Sequence, residues 1–379
     1  MEGNYTSAFT EEERAARRAQ RAAARKKKQQ ERRRRQLLLM TPFFLLGGVF
    51  VVLLTAMATN RPTEDVPQQT VMAAAPQPME ATPQTAEPEQ PFSVSETAET
   101  VQLGAELPSA YAIVVDLDNE TILAEKEART VISPASMTKI LTLLVAAEHV
   151  TDLDDTFTMT IDITDYCYVN GCSVVGLDVG ETATIRELLY GTILPSGADA
   201  ALGLATYVAG SHEAFVELMN EKLEELGLSE TAHFTNCVGL YDPEHVCTVY
   251  DMAMILKAAM DNELCRQVLD ARTYETAPTE AHPDGQVLSN WFLRRIEDKD
   301  TGGLDVIAAK TGYVSQSGNC AASCAQAPDG SRYICVTGNA YSSWRAIYDH
   351  AELYKTYCAA PTEDSTASGS TPGADAKPA

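Results

Sequence analysis

Ser136-Met137-Thr138-Lys139 sets a hydroxyl and an amine three residues apart, and on a helix two such residues share a face. Serine is a weak nucleophile until a base takes its proton. A lysine whose charged form is destabilised, by burial or by a second cation, can be that base. A helix N-terminus adds free backbone N–H groups for an oxygen that turns negative during reaction. The chemistry so arranged is acyl transfer through a serine ester. Alone, S-x-x-K is common in a chain of this size and marks no more than a helix start with a solvated lysine. Two further patches strengthen it. Lys310-Thr311-Gly312 ends the strand-like run DVIAAKTGY; Lys310 there can hold a substrate carboxylate, Thr311 adds a donor, and Gly312 lets a ligand approach the backbone. Ser196, in Pro195-Ser196-Gly197-Ala198, is a second hydroxyl able to relay a proton between Lys139 and a leaving amine.

Elements that could position these groups are readable around them. Tyr111–Leu117, a turn at 118–120 and Thr121–Glu125 form a hairpin pattern. Ser133 suits a helix N-cap and Pro134 the first helical position, ahead of a run (ILTLLVAAEHV) that is apolar all round and hence belongs in a core. Thr184 and Glu187 make a capping-box pattern, and Glu213–Leu226 is amphipathic and stopped by Gly227. Strand-like runs return at Val306–Tyr313, Asn319–Gln326 and Arg332–Gly338, and a closing helix covers Ser343–Cys358. Strands at both ends of a helical middle predict an α+β plan, one mainly antiparallel sheet flanked by helices.

The rest of the 379-residue chain divides by composition. Residues 1–36 carry 12 basic and 5 acidic side chains, and the remainder holds a net charge of −31. So acidic a body repels phosphate backbones, which argues against nucleic acid as a partner. Residues 37–58 hold 22 uncharged, mostly apolar positions, long enough as a helix to cross a bilayer. The basic cluster before them places 1–36 in the cytoplasm and the rest outside. This predicts a single-pass cell-membrane protein; the competing reading is a signal peptide cleaved after Ala56-Met57-Ala58. Residues 59–102, Pro-rich, read as a disordered tether, 103–358 as the folded domain and 359–379 as a disordered tail. All nine cysteines fall in 103–358. Cys167/Cys172 and Cys237/Cys247 are close enough in sequence to bridge, while buried thiols are the better reading for most of the nine. No C-x-x-C occurs and the histidines are scattered, so no metal and no cofactor is expected.

The three patches, in this order, together with ISPASMTKI, RELLYGTILPSGADAA, FVELMNEKLEELGL, HFTNCVGLYDPEH and AAKTGY, resemble the serine-type D-alanyl-D-alanine carboxypeptidases, the low-molecular-mass penicillin-binding proteins. The resemblance covers residues 105–358. It implies a β-lactamase/transpeptidase-like fold with a helical subdomain. It also implies removal of the terminal D-alanine from peptidoglycan stem peptides through an acyl-enzyme, with β-lactams as inhibitors. Carried over, Ser136 is the nucleophile, Lys139 its proton acceptor, Ser196 the second catalytic serine, and Lys310 and Thr311 the carboxylate site. The backbone N–H groups of Ser136 and Tyr313 form the oxyanion hole. The chain departs from the family where Ala198 replaces the usual asparagine of Ser-x-Asn. A literal Ser317-Gly318-Asn319 follows the Lys310 strand and is a decoy by position. Many relatives also carry a C-terminal β-rich domain and an amphipathic anchoring helix; here the N-terminal span is expected to stand in for that anchor. The competing functions are a β-lactamase on the same fold, for which an E-x-x-L-N-like segment is missing between Ala198 and Lys310, and a wall-binding module weakened by Ala198.

Overall fold

A strand covered on both faces needs an unbroken apolar run, whereas an edge strand does not. The computed structural model, which describes residues 93–359, joins both kinds in one sheet. Ser95–Gln102 (β1) is almost wholly exposed; Tyr111–Asp116 (β2) and Thr121–Lys126 (β3) form the expected hairpin, with Ala112 to Asp116 buried. Thr156–Thr158 (β4) pairs with Thr182–Thr184 (β5), and Thr273–Glu275 (β6) with Val287–Ser289 (β7). Asp305–Val314 (β8), Gly318–Gln326 (β9) and Arg332–Ala340 (β10) complete the main sheet, whose order is β1-β3-β2-β10-β9-β8. All its pairings are antiparallel except β1 with β3. The strands from the two ends of the domain thus meet at the centre, where β2 lies beside β10.

The sheet splits the core by strand period. Ile113 and Val115 face one cluster, with Lys139–His149 (α1) and Val249–Asp261 (α6) packed on them. Ala112 and Val114 face the other, under Leu293–Ile296 (α8) and Ser343–Tyr357 (α9). Between β3 and β8 the chain is mainly helical. Ile161–Asn170 (α2) packs on Ala198–Ala209 (α4), which gathers around α1 with Ile185–Ile193 (α3) and His212–Glu225 (α5), and Glu263–Asp270 (α7) follows α6. The apolar-all-round helix α1 is buried from Lys139 to Ala146. The capping box forms, with Thr184 N–H donating to Glu187 Oε2 at 2.8 Å and Glu187 N–H to Thr184 Oγ1 at 3.1 Å.

Two expectations need correction. The tether does not run to residue 102: Val94 is 3% exposed, its carbonyl accepts from Tyr250 Oη, and residues 95–102 are the sheet's edge strand. Ser133 caps no helix. Pro134 leads into a short 3-10 turn, Ala135–Thr138, and the Ser133 hydroxyl is buried without a partner. The apolar span 37–58 lies outside the described residues, as do 1–36, most of the tether and nearly all of the tail. No helix among the described residues is long and apolar enough to cross a membrane.

Candidate active site

The 3-10 turn that replaces the expected helix start is held in an unusual backbone. Ala135 sits at φ +48°, a left-handed conformation that costs energy for a residue with a Cβ. Such strain persists only where the surroundings enforce it. Here they come from two glycines. Gly239, itself at φ +81°, packs so closely that any Cβ would collide with the Ala135 carbonyl. Gly312 on β8 lies against the same turn, where a Cβ would stand 2.8 Å from the Pro134 carbonyl oxygen. The sequence motif placed this glycine for a ligand's approach; it lines the cleft and is also pressed against the chain's own Ser136 turn.

Ser136 and Lys139 come together as i and i+3 allow: Lys139 Nζ donates to Ser136 Oγ at 3.1 Å. The lysine is 2% exposed, and burial pulls its ammonium down to about 8 against the partial support of nearby Cys237, Cys172, Cys167 and Asp199. A neutral amine is therefore accessible near physiological pH. Its second bond goes to the Val238 carbonyl at 2.6 Å. That carbonyl is fixed by Asn236, whose Oδ1 accepts the N–H groups of Val238 (3.2 Å), Gly239 (2.7 Å) and Leu240 (2.9 Å), while its Nδ2 donates to the Leu240 carbonyl. His245 braces the same region: Thr235 N–H donates to its Nδ1 at 3.0 Å, so Nε2 carries the proton toward Thr138 Oγ1 at 2.8 Å. Burial lowers its pKa to about 4, which keeps it neutral. Sequence reading assigned Asn236 and His245 no role. The only signal was an asparagine three residues before a glycine, the mark of a side-chain-organised turn.

Ser196 precedes α4 in a second strained residue, at φ +63°. Its Oγ accepts from Lys310 Nζ at 2.8 Å, and Lys310 also donates to the Thr311 carbonyl. Lys310 is 2% exposed; burial first, then the neighbouring Lys139, press its pKa well below the lysine range. Ala198, buried at the start of α4, offers no amide, and its N–H donates to the Ser173 carbonyl at 2.8 Å. The adjacent Asp199 carboxylate accepts the N–H groups of Val175, Gly176 and Leu177, at 2.8, 2.9 and 3.2 Å. This clamp went unread in the sequence.

Ser136, Ser196, Lys310, Thr311, Gly312 and Tyr313 all line one cleft of about 460 Å³ between β8 and the helical part. Ser317 is turned away, bonding the Gly318 carbonyl at 2.9 Å, whereas Asn319 borders the cleft with its Nδ2 donated to the Ala340 carbonyl. No His, Cys, Asp and Glu group among the described residues could hold a metal ion.

Comparison with known proteins converges on one family. The family model for D-alanyl-D-alanine carboxypeptidase matches residues 95–342. Among curated relatives, the D-alanyl-D-alanine carboxypeptidase DacF of Bacillus subtilis is 33% identical over 172 residues, which are 45% of this chain and 43% of that protein. A Streptomyces D-alanyl-D-alanine carboxypeptidase is 33% identical over 212 residues, covering 53% and 70%. The chain thus spans less than half the length of DacF and 70% of the Streptomyces enzyme. In fold it is similar to the Streptomyces DD-transpeptidase, with a TM-score of 0.60 and 27% identity over 66% of this chain and 97% of that one. It is also similar to a D-alanyl-D-alanine carboxypeptidase of Mycobacterium tuberculosis, at 0.58 and 27% over 68% and 94%.

Proposed function

Because the chain belongs to the D-alanyl-D-alanine carboxypeptidase family, we propose that it removes the terminal D-alanine from peptidoglycan stem peptides through an ester on Ser136. The observation that carries this reading is the buried pair of lysines, each bonded to a different serine in one cleft, Lys139 to Ser136 and Lys310 to Ser196. Neutral Lys139 takes the Ser136 proton as Oγ attacks the penultimate carbonyl. The N–H groups of Ser136 and Tyr313 receive the oxyanion. Ser196 passes the proton on to the departing D-alanine nitrogen, and Lys310, with Thr311 beside it, holds the free carboxylate of the substrate. Water then cleaves the ester. Bound carboxylate restores to Lys310 the charge that burial removes. β-Lactams, which carry a carboxylate beside a strained amide, are taken by the same groups.

Residues 37–58, outside the described residues, are the proposed membrane anchor. The support is their 22 uncharged positions directly after a basic run, which would leave the folded domain outside the cytoplasm. Mass spectrometry after penicillin treatment tests the reading: an adduct on Ser136 that vanishes in Ser136→Ala, together with D-alanine release from a pentapeptide, is the expected result. Rapid β-lactam turnover would instead make it a β-lactamase. An unlabelled Ser136 in folded protein would remove the enzyme reading altogether.

A further inference from the structure

The end of α2 places two thiols side by side. Gly171 stands at φ +63°, Cys172 N–H donates to the Cys167 carbonyl at 3.0 Å, and Gly171 N–H to the Tyr168 carbonyl. This pair of bonds closes a helix so that the side chain two past its end packs on the side chain one turn back. Apolar residues usually make that contact. Here both positions are cysteine, and both thiols are free. Cys167 is 3% exposed and Cys172 is partly open, whereas the other eight cysteines, Cys167 included, are all buried.

We propose that Cys167 and Cys172 are an oxidation site, and that a disulfide between them fastens the segment 171–177 that borders the catalytic cleft. The proposal rests on the reading that the folded domain lies outside the cytoplasm, where such bonds persist. Cys172 is the attacking group. The neighbouring Cys167 thiol favours its thiolate and outweighs the opposing effect of burial, with Lys139 adding a smaller favourable charge, while the Cys172 neighbour and burial hold Cys167 protonated. The oxidant is a disulfide, of a protein or a small thiol. Cys172 sulfur attacks it, forming a mixed disulfide and releasing one thiolate. Cys167 then gives its proton to that thiolate and attacks Cys172 sulfur, releasing the second thiolate, which takes the proton Cys172 lost to solvent. Two protein thiols are oxidised and one external disulfide is reduced to two thiols.

What the bond would fasten follows from the contacts next to it. Gly171 and Ser173 line the cleft with Ser136 and Ser196. The Ser173 carbonyl accepts from Ala198 N–H, and Val175, Gly176 and Leu177 are tied to Asp199. A covalent link at Cys172 therefore anchors, from the α2 side, the segment that packs against both residues following Ser196-Gly197.

The test uses the full chain recovered from its own membranes, with free thiols alkylated at harvest and the digest left unreduced. The peptide holding both cysteines is expected to carry no alkyl group and to be lighter than the dithiol by two hydrogens. Mild reductant should slow penicillin acylation of the wild type by about fivefold, the worth of one hydrogen bond's positioning. The Cys167→Ser/Cys172→Ser variant should be equally slow with and without reductant, an insensitivity that a mere folding defect does not produce. Alkylation of both thiols would overturn the proposal, as would a bridge whose reduction leaves the acylation rate unchanged. A missing penicillin adduct bears on the enzyme reading instead, because the bridge is read without it.

Discussion

Lys310 Nζ lies 2.8 Å from Ser196 Oγ although 114 residues separate them in the chain. One belongs to the edge strand of the main sheet and the other to the turn ahead of α4, so this bond closes the cleft from its two walls. Lys139, buried behind Ser136, belongs to the third element. The site is therefore a junction of three elements.

Lys139 works as a base only when neutral, and burial brings that form within reach near pH 8. At saturating β-lactam the bound carboxylate keeps Lys310 charged, so Lys139 alone titrates. The acylation rate should rise about tenfold per pH unit and level off by about pH 8. Lys139→Arg, a base that never deprotonates, should abolish the limb and lower the rate by roughly 10²–10⁴. Stopped-flow acylation across pH 5–9 measures both, and a flat wild-type profile would refute the assignment.

Lys310 should govern binding more than chemistry. Lys310→Met removes a charge-assisted contact worth about 1.5–3 kcal/mol, so KM for a D-Ala-D-Ala peptide should rise roughly 10–100-fold with a smaller change in kcat. A peptide whose C-terminus is amidated should lose most of the difference between wild type and variant. Equal losses on the acid and the amide would place Lys310's role elsewhere.

The nucleophile turn should fail from a distance. Gly239→Ala forces a Cβ onto the Ala135 carbonyl at a left-handed φ, and Asn236→Ala strips three N–H groups of their acceptor. Both variants should show lowered Tm and a loss of penicillin labelling larger than their loss of folded fraction. Asn236→Asp, which keeps the acceptor, should recover most of the labelling of Asn236→Ala.

Acid should unfold the domain through His350. The ring is buried neutral between Ser323 Oγ (2.7 Å) and Thr337 Oγ1 (3.0 Å), and burial lowers its pKa to about 3. Between the ordinary histidine value and about 3, the unfolded chain binds a proton that the folded one refuses. Stability is thus lost as pH falls from about 6.5 toward 3, by up to about 1.4 kcal/mol per pH unit from this group. Urea unfolding at pH 7, 5 and 4 should show the slope, and His350→Gln should remove His350's share of it, leaving the part due to His245, which burial also holds neutral down to about pH 4.

The parts legible in the sequence were those with a local cause. The hairpin at 111–125, the Thr184 capping box and the three late strands rest on apolar runs and cap residues that act over a few positions. The edge strand β1 was not, because SETAETVQ buries almost nothing and reads like the Pro-rich segment before it; only pairing with β3 makes it a strand. Ser133-Pro134 carries a sound helix-start pattern, overridden by the packing of Gly239 and Gly312 from distant segments. Residues 136, 139, 196 and 310 could be singled out by type and spacing, and the resemblance brought them into one site, but the strained turns at Ala135 and Ser196 that present the two serines could not be read. The Asn236 and Asp199 clamps hold backbone rather than substrate, and backbone geometry has no spelling in a single chain.

β1 lies at one margin of the sheet and β8, with Lys310, at the other, and four strands stand between them. The segment N-terminal to the domain joins it at β1, which runs parallel to β3. A pull arriving from that side meets β1 and its pairing with β3 first, a pairing that shifts register between Glu96 and Val101. The cleft is thereby mechanically insulated: tension on the leading chain would have to tear away the sheet's first strand before it could move the nucleophile.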